Sequence, residues 1–322
     1  MRVFLTGGSG FIGGALLRRL TGEGQKVEVL TRSDRARRAV LDAGGLPVQG
    51  DIVQPGDWQA AAAAADIVVH AAGRVGDWGS RRGFFRANVD GTRNVLKALR
   101  GWRGHFVHFS SIAVHGFRRG FYDENSPVRA SRNPYAASKA VAEKLVEKAV
   151  GSGLNASIVR IAGVYGPGDP HFITRLLALA RTGCVYFIGR GDQPTNLIFI
   201  DDVIDGLRRI IDWKGGPGQR FILSDPDAPG VRDALREAIS VLGLKTQIRR
   251  IPMGIAYPVA FGQEVLGCLT LKSPLITRYV VKAMARSCFF SIEATEQKLG
   301  WRPRTAFLEG VVKTMAWYAQ NS

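Results

Sequence analysis

Residues 3–13 read Val3-Phe4-Leu5-Thr6-Gly7-Gly8-Ser9-Gly10-Phe11-Ile12-Gly13, and this stretch decides the fold. Val3-Phe4-Leu5 has the character of a short buried strand. After it, Ile12, Ala15, Leu16 and Leu20 recur at helical spacing over residues 11–22. Between strand and helix, glycines stand at 7, 10 and 13. A strand that turns through glycines into a helix brings backbone amides and the positive helix end against an anion, above all a pyrophosphate. Glycine spacing alone is a weak signal, but here the strand and the helix both flank it. A dinucleotide site is therefore expected, with Gly7, Ser9, Gly10, Phe11 and Ile12 along its floor.

Working outward, short apolar runs at 27–30, 67–70, 105–109 and 156–160 alternate with segments of helical spacing. The alanine run at 60–65 reads as one of these helices. Such alternation predicts an α/β fold, a doubly wound parallel sheet of the Rossmann type with helices on both faces. The expected division is a dinucleotide-binding core over residues 1–165. Residues 166–322 then form a smaller C-terminal α/β substrate lobe over the carboxyl ends of the strands, with some segments returning to the core.

The end of the second strand selects the cofactor. A site for NAD usually offers a carboxylate to the ribose hydroxyls there. This chain reads Leu30-Thr31-Arg32-Ser33, with no acid before Asp34. The guanidinium fork of Arg32 suits a 2′-phosphate, so NADP(H) is expected in preference to NAD(H). Asp51, followed by Ile52, is placed to accept from the adenine amino group. His70-Ala71-Ala72-Gly73 ends the fourth strand with small residues that let backbone approach the cofactor. His70 itself is read as structural.

Tyr135-Ala136-Ala137-Ser138-Lys139 lies in a helix that Ser131 and Pro134 introduce. The i, i+4 spacing puts phenol and ammonium on one face. A phenol with its ordinary pKa near 10 is a poor acid or base at neutral pH, and an adjacent cation favours the phenolate. That pair suits general acid–base work at an oxygen that gains or loses a proton as hydride moves. Ser110 and Ser111 end the fifth strand, where one hydroxyl can hydrogen-bond a substrate carbonyl. Strand alternation points the two serines to different sides and leaves the choice open.

Together these pieces resemble the extended short-chain dehydrogenase/reductase family over nearly the whole chain. The resemblance rests on TGGSGFIG (6–13), GDI (50–52), HAAG (70–73), NVDGTRNVL (88–96), FSSIAVHG (109–116), YAASK (135–139) and VYGPGD (164–169). It implies hydride transfer with Ser111, Tyr135 and Lys139 as the catalytic set. Lys139 and Tyr135 would also touch the cofactor, along with Ser110, Ile161, Ala162 and Val164. Within the family the chain is similar to the 3β-hydroxysteroid dehydrogenase and dihydroflavonol reductase branch, on Arg74-Val75-Gly76-Asp77-Trp78-Gly79 and on residues 252–277. Gly163 stands where nucleotide-sugar epimerases and dehydratases usually carry an asparagine. The implied reaction is ketone–alcohol interconversion on an apolar small molecule that is sterol-like, flavonoid-like or an alkyl β-keto acid. The alternative is a sugar-nucleotide epimerase or dehydratase with tightly held cofactor. Ile255, Tyr257, Val259, Phe261, Val265 and Leu266 are read as a lid over an apolar pocket, with ordinary core packing as the competing reading. Asp201-Asp202 is read as a helix N-cap.

Composition limits the partners. The net charge is +17, and its basic residues fall as scattered pairs such as Arg18-Arg19 and Arg249-Arg250, with no nucleic-acid motif. No nucleic-acid partner is expected: the charge reads first as ordinary solvated surface, with weak peripheral membrane association as the alternative, and a homodimer follows from the family resemblance. Cys184, Cys268 and Cys288 lack metal-ligand spacing and read as buried reduced thiols of a cytoplasmic protein. No metal is expected, and no apolar run reaches membrane-spanning length.

Overall fold

The computed structural model describes residues 1–129, 131–170, 172–243 and 245–321. Its central sheet has seven strands: β1 (Arg2–Thr6), β2 (Lys26–Thr31), β3 (Leu46–Gln49), β4 (Ile67–His70), β5 (His105–Ser111), β6 (Ala156–Ile161) and β7 (Gln219–Leu223). All pair in parallel, in the order β7-β6-β5-β4-β1-β2-β3. Every residue of β4 and β6 is buried, as strands covered on both faces must be. The order reverses between β1 and β4, so their carboxyl ends open a crevice where such sheets bind ligands.

Helix α1 (Phe11–Gly22) buries Leu16, Leu17 and Leu20 against the sheet. Helix α2 (Pro134–Gly151) starts on Pro134, and the side chain of Asn133 accepts from Ala136 N at 3.0 Å. Of the two residues expected to introduce it, Pro134 does so, while Ser131 lies two residues before the cap and its hydroxyl accepts from Asn133 N at 3.1 Å. The chain returns to the core after residue 165. Helix α3 (Ile200–Ile211) packs against α1, and β7 extends the sheet beside β6. Asp202 lies in the first turn of α3 and does not cap it. Its carboxylate accepts instead from Arg304 N (2.9 Å) and Thr305 N (3.1 Å), fastening the approach to the last helix.

The remaining short strands pair two by two, such as Gln247–Ile251 with Cys184–Ile188 and Cys288–Phe290 with Gly120–Tyr122. Helices α4 (Met253–Thr270) and α5 (Arg278–Ala285) follow the former. On α4 the expected lid residues Ile255, Val259, Phe261, Val265 and Leu266 are exposed. Helical spacing turns the small Ala256, Ala260 and Gly267 inward instead. Of the three thiols only Cys288 is buried, and Cys268 is exposed on α4, so the expectation of three buried thiols fails. No helix among the described residues is long and apolar enough to cross a membrane.

Candidate active site

The glycine turn is shaped by close approach. Gly7 has φ +79°, and a Cβ there would lie 2.6 Å from Ala72 N. A Cβ on Gly13 would lie 2.2 Å from Gly7 O, so only glycine lets α1 start against the turn. Gly10 precedes α1 with no side-chain cap and no acid in the first turn, which leaves first-turn amides to face an anion. Arg32 is exposed at the end of β2. The glycine turn and the free first-turn amides fit a dinucleotide phosphate backbone. Asp51 turns one carboxylate oxygen to Val53 N (3.1 Å), and Asn94 Nδ2 donates to Ile52 O (3.0 Å), fixing this loop beside β3.

Under the crevice runs an ordered hydrogen-bond chain. Thr92 Oγ1 donates to Asn88 O (2.6 Å), so Thr92 accepts from His70 Nε2 (3.0 Å). His70 Nδ1 then accepts from Thr6 Oγ1 (2.8 Å), which in turn accepts from Ala72 N (3.1 Å). This sequence needs neutral His70 with its proton on Nε2. Burial agrees, since it pushes the His70 pKa down to about 3. The histidine therefore holds the Ala72 backbone in place through Thr6. Asn88 lies in a π-helical turn, Arg86–Asp90. It accepts from Arg74 N (2.7 Å) and donates to Ser138 Oγ (2.8 Å), joining the floor to the tyrosine helix.

Tyr135 and Lys139 lie on α2 at the carboxyl end of β5. Burial raises the pKa of the Tyr135 phenol, and the Ser111 hydroxyl facing it pulls that pKa back. Ser111 Oγ also accepts from Ala113 N (3.2 Å). Lys139 Nζ donates to Phe109 O (2.8 Å), and burial pushes its pKa down to about 8 against the pull of Glu143. The Ser110 hydroxyl donates to Glu143, so what this residue offers the crevice is backbone. Gly163 stands beside the crevice in the short strand Gly163–Tyr165; a Cβ there would lie 2.9 Å from a Leu197 methyl. Ala162 N donates to Leu223 O (2.9 Å), tying the turn that carries Ile161 and Val164 to β7.

Sequence reasoning missed the layer behind these groups. Glu143, one turn after Lys139, forms a buried bidentate pair with Arg160 (2.9 and 3.1 Å). Arg160 also donates to Glu124 O (3.0 Å). The signal was available: a charged residue within the apolar run at 156–160 demands a buried partner. On the other side of Tyr135 are Phe84, with ring centroids 6.2 Å apart, and Tyr279, whose pKa burial and the Tyr135 and Asp77 charges raise. Phe117 packs edge-on against Tyr279, and Thr277 Oγ1 donates to Asp77 (2.9 Å). Nothing in the spacing of residues 274–279 announced that Tyr279 would pack on Phe117 or that Thr277 would bind Asp77. Among the described residues no cluster could hold a metal ion.

A family model for the NAD dependent epimerase/dehydratase family matches residues 3–223. The chain belongs to this family and is an NAD(P)-dependent oxidoreductase of the extended short-chain dehydrogenase/reductase type. It is 33% identical to a 2-alkyl-3-oxoalkanoate reductase of Shewanella oneidensis, over 97% of this chain and 85% of that one. It is 29% identical to a 4-hydroxy-2-methyl-3-oxo-4-farnesyl-3,4-dihydroquinoline-1-oxide ketoreductase of Stigmatella aurantiaca, over 97% and 95%. A UDP-glucuronic acid 4-epimerase from Bacillus cereus, in complex with UDP-glucuronic acid and NAD, shares the fold. Its TM-score is 0.81 at 19% identity, with full coverage of both chains.

Proposed function

We propose that this chain reduces the ketone of a long-chain β-keto acid or related apolar ketone, using NADPH. The observation that carries the reading is the grouping of the Ser111 hydroxyl, the buried Tyr135 phenol and buried Lys139 at the carboxyl end of β5. A ketone oxygen seated there accepts hydrogen bonds from the phenol and the serine hydroxyl. Tyr135 delivers its proton to that oxygen, and the Lys139 ammonium stabilises the phenolate left behind. When bound, the cofactor supplies the hydride. Phe84, Phe117 and Tyr279 give the substrate side an aromatic wall suited to an apolar chain. The names of the two ketoreductase relatives support the same substrate class. Arg32, with no acid before it after β2, supports NADPH. Gly163 lacks the amide side chain that a sugar diphosphate would use.

The test is NADPH and NADH oxidation by the purified protein across alkyl β-keto acids, apolar ketones and UDP- and GDP-sugars. Bound nucleotide is assayed after denaturation. Turnover of a β-keto acid or apolar ketone, faster with NADPH, is expected. Conversion of nucleotide sugars alone, with no added cofactor needed, overturns the proposal.

A further inference from the structure

Helix α4 is amphipathic in the reverse of the usual sense. Its one charged residue, Glu264, and its neighbour Gln263 point toward the protein. Glu264 accepts from Arg278 N and Nε, both at 2.7 Å, and Gln263 Oε1 accepts from Ile276 N (3.1 Å). The outward face carries Ile255 (59% exposed), Val259, Phe261, Val265, Leu266 (58%) and Leu269 (77%). Leu271 and Leu275, 91% and 87% exposed, continue it past the helix end. No charged residue of α4 itself lies on this face, which runs about 21 Å along the axis from Ile255 to Leu269 at 1.5 Å per residue. An apolar face of that extent on a water-exposed helix marks an interaction site.

Its rim says with what. Between residues 245 and 286 there are seven lysines and arginines and a single acid, Glu264. Arg249 and Arg250 are exposed before the helix and Lys272 just after it. The Arg278 guanidinium lies over the Phe261 ring at 4.7 Å, and Lys282 lies 5.4 Å from the Tyr257 ring centroid. A second copy docked on this face would bring two basic rims together, which is repulsive. An anionic bilayer offers the complement on both counts, apolar acyl chains to the leucines and phosphates to the rim.

We propose that α4 lies in the headgroup region of an anionic membrane, its outward face in the acyl boundary and its basic rim on lipid phosphates. It lies on the membrane and does not cross it. The docked surface adjoins the active site. The backbone at Gly267 packs against Trp78, and Asp77, which Thr277 binds, is next to Tyr279. The docking itself does not depend on the substrate reading above.

The test is co-sedimentation of the full chain with phosphatidylcholine vesicles, with and without phosphatidylglycerol, at low and high salt. Circular dichroism and gel filtration run on every variant. The expected result is binding to the phosphatidylglycerol vesicles only, weakened by salt. Binding falls more than about tenfold in Leu266→Asp/Leu269→Asp, which removes two apolar anchors. Arg249→Glu/Lys272→Glu weakens it as well. Three results overturn the proposal: no binding to anionic vesicles, equal binding by the leucine variant, or a wild-type dimer that the leucine variant turns into a monomer.

Discussion

Tyr135 is in contact with Ser111 through its phenol and with Phe84 through its ring, so removing only its hydroxyl tests chemistry with little change in packing. Tyr135→Phe should lower kcat by about 10²–10⁴-fold while NADPH still binds, as single-turnover and fluorescence titrations would report. Lys139 makes a prediction without cofactor. Its folded pKa, pushed down to about 8, lies below the ordinary lysine value of 10.5. Below about pH 8 the lysine is charged in both folded and unfolded chains, and the full burial penalty applies. As pH rises from about 8 toward 10.5 the folded chain sheds the proton first and the penalty is relieved. Wild-type stability should therefore rise relative to Lys139→Met over that window, by about 3 kcal/mol at the top of it. Parallel urea unfolding of the two chains at stepped pH checks it, and a constant difference would contradict it. The tyrosine and lysine were legible from spacing and motif. The Glu143–Arg160 pair was not, because its members are distant in sequence and only the sheet brings them together.

At the scale of elements, two junctions hold the site. The glycine turn admits α1 only because Gly13 has no Cβ to meet Gly7 O. Gly13→Ala should weaken NADPH binding at least about tenfold by displacing the turn, and isothermal titration would measure it. The second junction ties α2 to β6 through Glu143 and Arg160, whose side chains are 0% and 1% exposed. Arg160→Leu leaves a buried carboxylate without its counter-ion and should cost about 3–5 kcal/mol in urea unfolding. Strand and helix periodicity announced β1, β2, β4, β5 and β6 and the start of α1, since parallel buried strands and amphipathic helices carry their own signal. Helix α4 was misread as a lid because composition gives apolarity without direction. Only the inward Glu264 and Gln263 show which face is outside. Asp202 was misread for a related reason, since its true partners, Arg304 and Thr305, come a hundred residues later.

Across the whole molecule, His70, His105, His108 and His115 are all buried, and burial lowers the pKa of each, to about 3 for His70 and about 4 for His115. Above the ordinary value of 6.5 they are neutral in both states and contribute nothing to pH dependence. Below it the unfolded chain takes up protons that the folded chain refuses. Stability should fall as pH drops from 6.5 toward 4, at up to about 1.4 kcal/mol per pH unit for each fully excluded histidine. Chemical denaturation between pH 7 and 4 would measure the slope. The order of the sheet has a further consequence, during synthesis. β6 spans residues 156–161, but the strand that covers its outer edge, β7, begins at residue 219. A nascent chain released from the ribosome before β7 emerges carries six strands and a bare β6 edge, open to pairing with another such chain. Translation through residue 223, rather than completion of the glycine turn, is the point at which the polypeptide becomes safe from its neighbours.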